Sequence, residues 1–173
     1  VGAKGCEALV AAALDSHCGP KSCHRVDIDE VRDILPGALE MMSVQPSSSS
    51  VPVTVISEDT CKHVDYRQDE ADYEHTNLLY LKGDGVLHVG TQEIPIRPGL
   101  MVRFNDGMEH WTTGCTEDRV ILGPMDDEGC LLAMGRVTGG PVSSGFFRVG
   151  GRSYRRRTNG RRTNGRRTNR RRS

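Results

Sequence analysis

Histidine, cysteine and arginine are the residues of this chain whose spacing could do chemistry. His17-Cys18 and Cys23-His24 flank a short segment and invite a zinc reading, since imidazole and thiolate are the usual ligands of that ion. Adjacent ligands such as His17 and Cys18 rarely converge on one tetrahedral ion, and no second cysteine pair follows at finger spacing. The segment therefore reads as a loop between helices. Gly83-Asp84-Gly85 is not a phosphate loop, because no lysine-bearing helix start follows it. Neither a Gly-x-Ser-x-Gly elbow nor a His-Glu-x-x-His helix occurs. The six cysteines (Cys6, Cys18, Cys23, Cys61, Cys115, Cys130) follow no repeated framework. Free thiols in a reducing compartment are the expectation: cytosol, or an organelle interior after loss of a transit peptide. A Cys18–Cys23 disulfide is the alternative.

Arginine dominates the C-terminal end. The net charge of zero hides an asymmetry: residues 152–173 hold eleven of the 23 basic residues and no acid. What precedes them is an acidic body. The segment repeats Arg-Arg-Thr-Asn-Gly and has no apolar residue after Tyr154, so it is expected to be disordered alone. Arg155, Arg156, Arg157, Arg161, Arg162, Arg166 and Arg167 would attract phosphates or carboxylates with strongly salt-dependent affinity. An acidic protein partner, nucleic acid, anionic lipid and the acidic body itself are all suitable counterparts. Without interleaved aromatics, stacking on single-stranded bases has little support.

The elements that would position any site follow from the pattern. At 173 residues the chain holds one domain with appendages. Glu7–Leu14 reads as a helix stopped by Gly19-Pro20, and Asp27–Leu35 as a second with acids in its first turn. Gln45–Ser50 is a flexible linker by composition. After it come short apolar runs: Val51–Ile56, Asn77–Leu81, Val86–Val89, Glu93–Ile96, Leu100–Phe104, Val120–Leu122 and Leu131–Met134. Glycine turns separate them, which predicts a mainly β sandwich or barrel and leaves no room for crossover helices. The division is a helical N-terminal extension (1–44), a Ser-rich linker (45–50), a barrel (51–150) and the arginine-rich tail (151–173). No run reaches the 18 apolar residues of a membrane-spanning helix. The chain begins at Val1, which suggests a processed form or a fragment.

Leu79–Gly85, Ile96-Arg97-Pro98-Gly99 and His110 together resemble the central hairpin and second motif of a cupin. Proline presets φ and glycine accepts the left-handed turn that sends the chain back across the barrel. Ile96–His110 with Arg119–Gly129 is most similar to ectoine synthases within that superfamily. The resemblance implies a jelly-roll, or double-stranded β-helix, barrel with a metal held by two histidines, a glutamate and a final histidine. Position by position, His110 matches the final histidine. The glutamate falls on Thr76, the paired histidines fall near Asp69 and Ala71, and the ectoine-synthase tyrosine falls on Val102. One ligand of the set survives. A one-residue register shift would bring His75 inward but turn Leu78 and Tyr80 outward, and His63 and Asp65 sit upstream on a plausible strand. Thr76, Leu78, Tyr80, Val102, Phe104 and His110 would share the barrel interior, as a filled core in preference to a ligand pocket.

With ligands lost and terminal segments added, the leading expectation is a non-catalytic cupin-like accessory subunit of a larger assembly, without a cofactor. The alternative is an ectoine-synthase-like lyase acting on a small polar metabolite with iron or zinc on His110. A nucleic-acid-binding protein working through the tail is a third. The resemblance also implies a homodimer paired through the sheets.

Overall fold

The structure, a computed structural model, describes residues 3–135 apart from Glu70, and side chains from Cys6 onward. The tail arginines Arg155, Arg156, Arg157, Arg161, Arg162, Arg166 and Arg167 lie outside the described residues, as do residues 136–150 of the expected barrel. Helix α1 (Ala3–Asp15) is followed by strand β1 (Lys21–Asp27), α2 (Ile28–Ile34) and α3 (Ala38–Met41). Strands β2 (Ser50–Ile56), β3 (Val64–Arg67), β4 (His75–Lys82), β5 (Val86–Val89) and β6 (Gln92–Pro95) come next. Then follow β7 (Met101–Asn105), β8 (His110–Thr113), β9 (Arg119–Met125) and β10 (Leu132–Gly135).

The strand pairing is nested. β2 pairs with β9, β3 meets β8 through a bridge at His63 and His110, β4 pairs with β7, and β5 with β6, all antiparallel. Further pairing of β4 with β9 and β5 with β8 assembles two facing sheets, in the orders 2-9-4-7 and 3-8-5-6. Eight strands folded back in this way form a jelly roll, the architecture cupins share. The mainly β, cupin-like barrel expected from the sequence is the fold observed.

Two strands extend the roll. β10 adds beside β3, and β1 pairs with β2 along its whole length, from Lys21 opposite Ile56 to Asp27 opposite Ser50. Residues 1–44, expected to be helical, therefore carry a strand where a loop was read at His17–His24. Edge strands need little apolar sequence, and β1 alternates between half-buried and exposed residues, which hides it from a hydrophobicity reading. The Ser-rich segment is likewise tied down. Gln45 and Ser47 donate backbone N–H groups to the carbonyls of Asp127 and Glu128, at 2.8 and 2.9 Å.

Two apolar cores share the larger sheet. On its outer face Leu9, Val31, Leu39 and Met42 from the helices pack on Val51, Val53, Leu79, Leu81 and Leu122. On its inner face Ile56, Leu78, Tyr80, Phe104 and Ile121 meet Leu87 and Val89 across the barrel. β2 and β9 are thus covered on both faces and carry near-continuous apolar sequence. β4 sends Leu78 and Tyr80 inward and Leu79 and Leu81 toward the helices, the period-two alternation of a strand. The return from β6 to β7 uses Pro98-Gly99: Gly99 takes φ +85°, and its N–H donates to the Tyr80 carbonyl at 2.8 Å.

Candidate metal centre

The polar groups of the barrel gather where β3 meets β8. His63 and His110 exchange backbone hydrogen bonds (3.0 and 2.8 Å), which fixes them as directly opposed neighbours. Asp65 lies two residues beyond His63, so both side chains leave the same face of the strand. All three side chains are buried, and their ligand-capable atoms lie within 4.8 Å of one another.

Each member is oriented by a second partner. His63 Nδ1 sits 2.6 Å from the Cys61 carbonyl and His110 Nδ1 3.1 Å from that of Met108. A carbonyl can only accept, so both Nδ1 atoms carry a proton, and in the neutral form of each ring the Nε2 lone pair faces inward. They point at one carboxylate: His110 Nε2 is 3.3 Å from Asp65 Oδ2, and His63 Nε2 is 3.7 Å from Oδ1. Burial, reinforced by the neighbouring His110, holds His63 below the ordinary imidazole pKa and so in its neutral, ligand-competent form. From the opposite sheet Thr76 donates its hydroxyl to Asp65 Oδ2 at 3.2 Å, and the Tyr73 hydroxyl donates to the Asp65 carbonyl. Burial pushes that phenol up to about 12, so it stays a donor.

This donor set fits a divalent transition ion. Two imidazoles and one carboxylate leave coordination positions open, unlike the closed four-ligand sets of structural zinc. Histidines that donate their other ring N–H to a carbonyl are the usual outer-shell arrangement of metal ligands. Ligands at about 2.0–2.2 Å from an ion lie roughly 3 Å apart, close to the two Nε2–carboxylate distances. The set adjoins a cavity of about 40 Å³ lined also by Thr60, Thr112, Lys21 and Arg119, with an apolar wall that includes Ile56, Leu78 and Leu87. That is room for roughly three waters.

Of the residues singled out from the sequence, His110 is in the cluster. Thr76 touches it, and Leu78, Tyr80, Val102 and Phe104 pack in the inner core. His75 is not in it. It points out of the barrel, where Asp127 Oδ2 lies 2.9 Å and Arg103 Nη2 3.0 Å from its Nδ1. With Thr76 inward, alternation forces His75 outward. The positions near Asp69 and Ala71, matched to the paired histidines, lie in the connection from β3 to β4 (68–74). The residues beside His110 are instead His63, just before β3, and Asp65 within it. Arg119 escaped the sequence reading altogether; a lone arginine before Val120–Leu122 offers no signal of its burial.

Two other clusters are structural. Asp126 accepts backbone N–H groups of Glu128 and Cys130 and pairs with Arg67 at 3.0 Å, so a fixed cation already neutralises it. His17 engages Ser22 and Ser57 with its two ring nitrogens, and Cys18 and Cys23 are free and exposed.

No family model matches the chain, and no curated protein matches it. Among solved structures it is similar to a prolyl-4-hydroxylase from Pseudomonas putida, with 15% identity, 70% of this chain and 84% of that one covered, and a TM-score of 0.45. It is similar to an RmlC-like cupin protein from Desulfovibrio desulfuricans at 12% identity, covering 61% and 86%, with a TM-score of 0.34. An ectoine synthase from P. lautus shares 16% identity over 79% of this chain and 96% of that one, with a TM-score of 0.39. Nested strand pairing defines the class of the molecule: a cupin-like jelly-roll barrel.

Proposed function

We propose that the barrel is a metal-dependent enzyme site for a small polar metabolite, with His63, Asp65 and His110 holding one divalent transition ion such as iron or zinc. The observation that carries the reading is the convergence of two Nε2 atoms on a buried carboxylate, with each Nδ1 held by a carbonyl, beside a small cavity. An ion bound there supplies a Lewis acid that polarises a carbonyl or a water. The chain's own residues do the rest: the Cys61 and Met108 carbonyls set the imidazoles, Thr76 orients Asp65, and Ile56, Leu78 and Leu87 wall the cavity beside them.

Metal titration of metal-free protein tests this, using Fe(II), Zn(II) and Mn(II) with elemental analysis afterwards. About one ion per chain is expected, lost in His63→Ala and His110→Ala and retained in His75→Ala. A wild-type chain that holds no ion, or a His110→Ala chain that holds it equally well, overturns the reading.

The accessory-subunit reading draws on a different feature. An apolar groove of about 640 Å³ lies between α1, the α2–α3 turn and the edge of the larger sheet, beside the exposed Met41. Assembly of the purified chain with a partner, undiminished when the metal cluster is removed, is the result that favours it.

A further inference from the structure

The cavity beside the histidine cluster contains a charge the cluster does not explain. Arg119 has no exposed surface, which is rare for arginine. Its Nη1 donates to Thr112 Oγ1 at 2.5 Å and its Nη2 to the Glu58 carbonyl, while its Nε is buried with no partner. Both partners are neutral. Among the described residues no carboxylate lies within ion-pair distance of the guanidinium, although Lys62, Arg67, Lys82 and Arg103 all have one. Asp59 feels the charge only from beyond that distance, and a buried cation without a contacting counter-charge is costly to keep. The fold nevertheless makes room for it: a Cβ on Gly83 would lie 2.4 Å from Arg119 Cγ.

Cavity electrostatics point the same way. Asp65 is the one carboxylate in the lining, whereas Arg119 and Lys21 both contribute positive charge. The guanidinium lies along the barrel from the histidines. His110 and Thr112 are alternate residues of β8, about 7 Å apart along a strand, and Thr112 holds the guanidinium. An anion reaching from Arg119 toward the cluster therefore has a short span to cover and room for few atoms.

We infer that Arg119 is the anion-binding group of this cavity and that its ligand is a short-chain carboxylate, received on guanidinium N–H groups with Lys21 supplementing the charge. A planar fork of donors matches a carboxylate better than a point charge would. This deepens the metal-site reading and rests on it for which part of the ligand reacts, but the anion site itself is testable without metal.

The experiment is calorimetric titration of metal-free protein with formate, acetate and inorganic phosphate, on wild type and Arg119→Met. Expected is saturable binding of a carboxylate in preference to phosphate, weakened about 10- to 100-fold by the substitution. Zn(II) affinity of Arg119→Met should equal that of wild type. No carboxylate binding, equal binding by Arg119→Met, or a preference for phosphate overturns the inference. Loss of Zn(II) binding by wild type with carboxylate binding intact overturns the metal reading alone. Should Arg119→Met fail to fold, the buried Nε–H proton signal in wild type replaces it. A saturable shift with carboxylate supports the site, and an unmoved signal refutes it in favour of a purely structural arginine.

Discussion

Replacing Thr112 with valine removes a hydroxyl without changing side-chain volume, so its cost measures the buried polar network directly. Thr112 Oγ1 accepts from Arg119 Nη1 at 2.5 Å and from the Thr60 backbone N–H at 2.9 Å, and lies 3.1 Å from Thr60 Oγ1. A hydrogen bond to a charged group contributes about 1.5–3 kcal/mol, and a neutral one about 1 kcal/mol. Valine opens no cavity to add to this, and Thr60 is half-exposed, so water can replace part of what it loses. Thr112→Val should therefore destabilise the fold by roughly 3 kcal/mol, mostly through the stranded guanidinium, and lower the melting temperature by about 10 °C. The decisive assay is a double-mutant cycle in urea with Arg119→Met. Once the cation is gone the valine has nothing to strand, so the double variant should be more stable than additivity predicts by about 2 kcal/mol. A Thr112→Val chain within about 0.5 kcal/mol of wild type, or strict additivity, refutes the claim that this hydroxyl holds the buried charge.

Burial on its own would push the Asp127 carboxyl up, but hydrogen bonds from Asn77, His75 and Arg103 outweigh it and hold the group below the usual carboxylate range. A carboxyl depressed on folding stabilises the native state fully above its unfolded pKa of about 3.9, and the contribution disappears as pH falls through the lower folded value. The stability gap between wild type and Asp127→Asn should accordingly stand at pH 5–7 and shrink below about pH 4; a gap independent of pH in urea titrations contradicts this. Gly83 takes φ +125° with Arg119 Cγ 2.4 Å from its ideal Cβ position, whereas the corresponding position at Gly107 is open. Gly83→Ala should cost about 3 kcal/mol or more, against less than about 0.5 kcal/mol for Gly107→Ala, as read from chemical unfolding. Equal effects at the two positions would rule out the close approach of arginine and turn.

Local pattern carried much of the architecture. Alternation in Asn77–Leu81 assigned Leu78 and Tyr80 to one face together with Thr76, and Pro98-Gly99 marked the turn that starts β7. Glycine punctuation separated most of the strands, because a turn's φ requirement is met by one or two residues and is visible in a short window. Strand pairing is not of that kind. Period two says which residues share a face, but not which strands lie side by side. Nothing near His63 in the sequence announces that β3 will lie against β8, nor does anything near Arg119 announce that its guanidinium will be walled in. The sequence by itself determined the β class, the turns and the inward-facing positions, because those depend on the conformational preferences of a few adjacent residues. The tertiary structure alone decided the His63–Asp65–His110 cluster and the solitary buried cation beside it, because both depend on register between strands far apart in the chain and on what the opposite sheet brings to meet them.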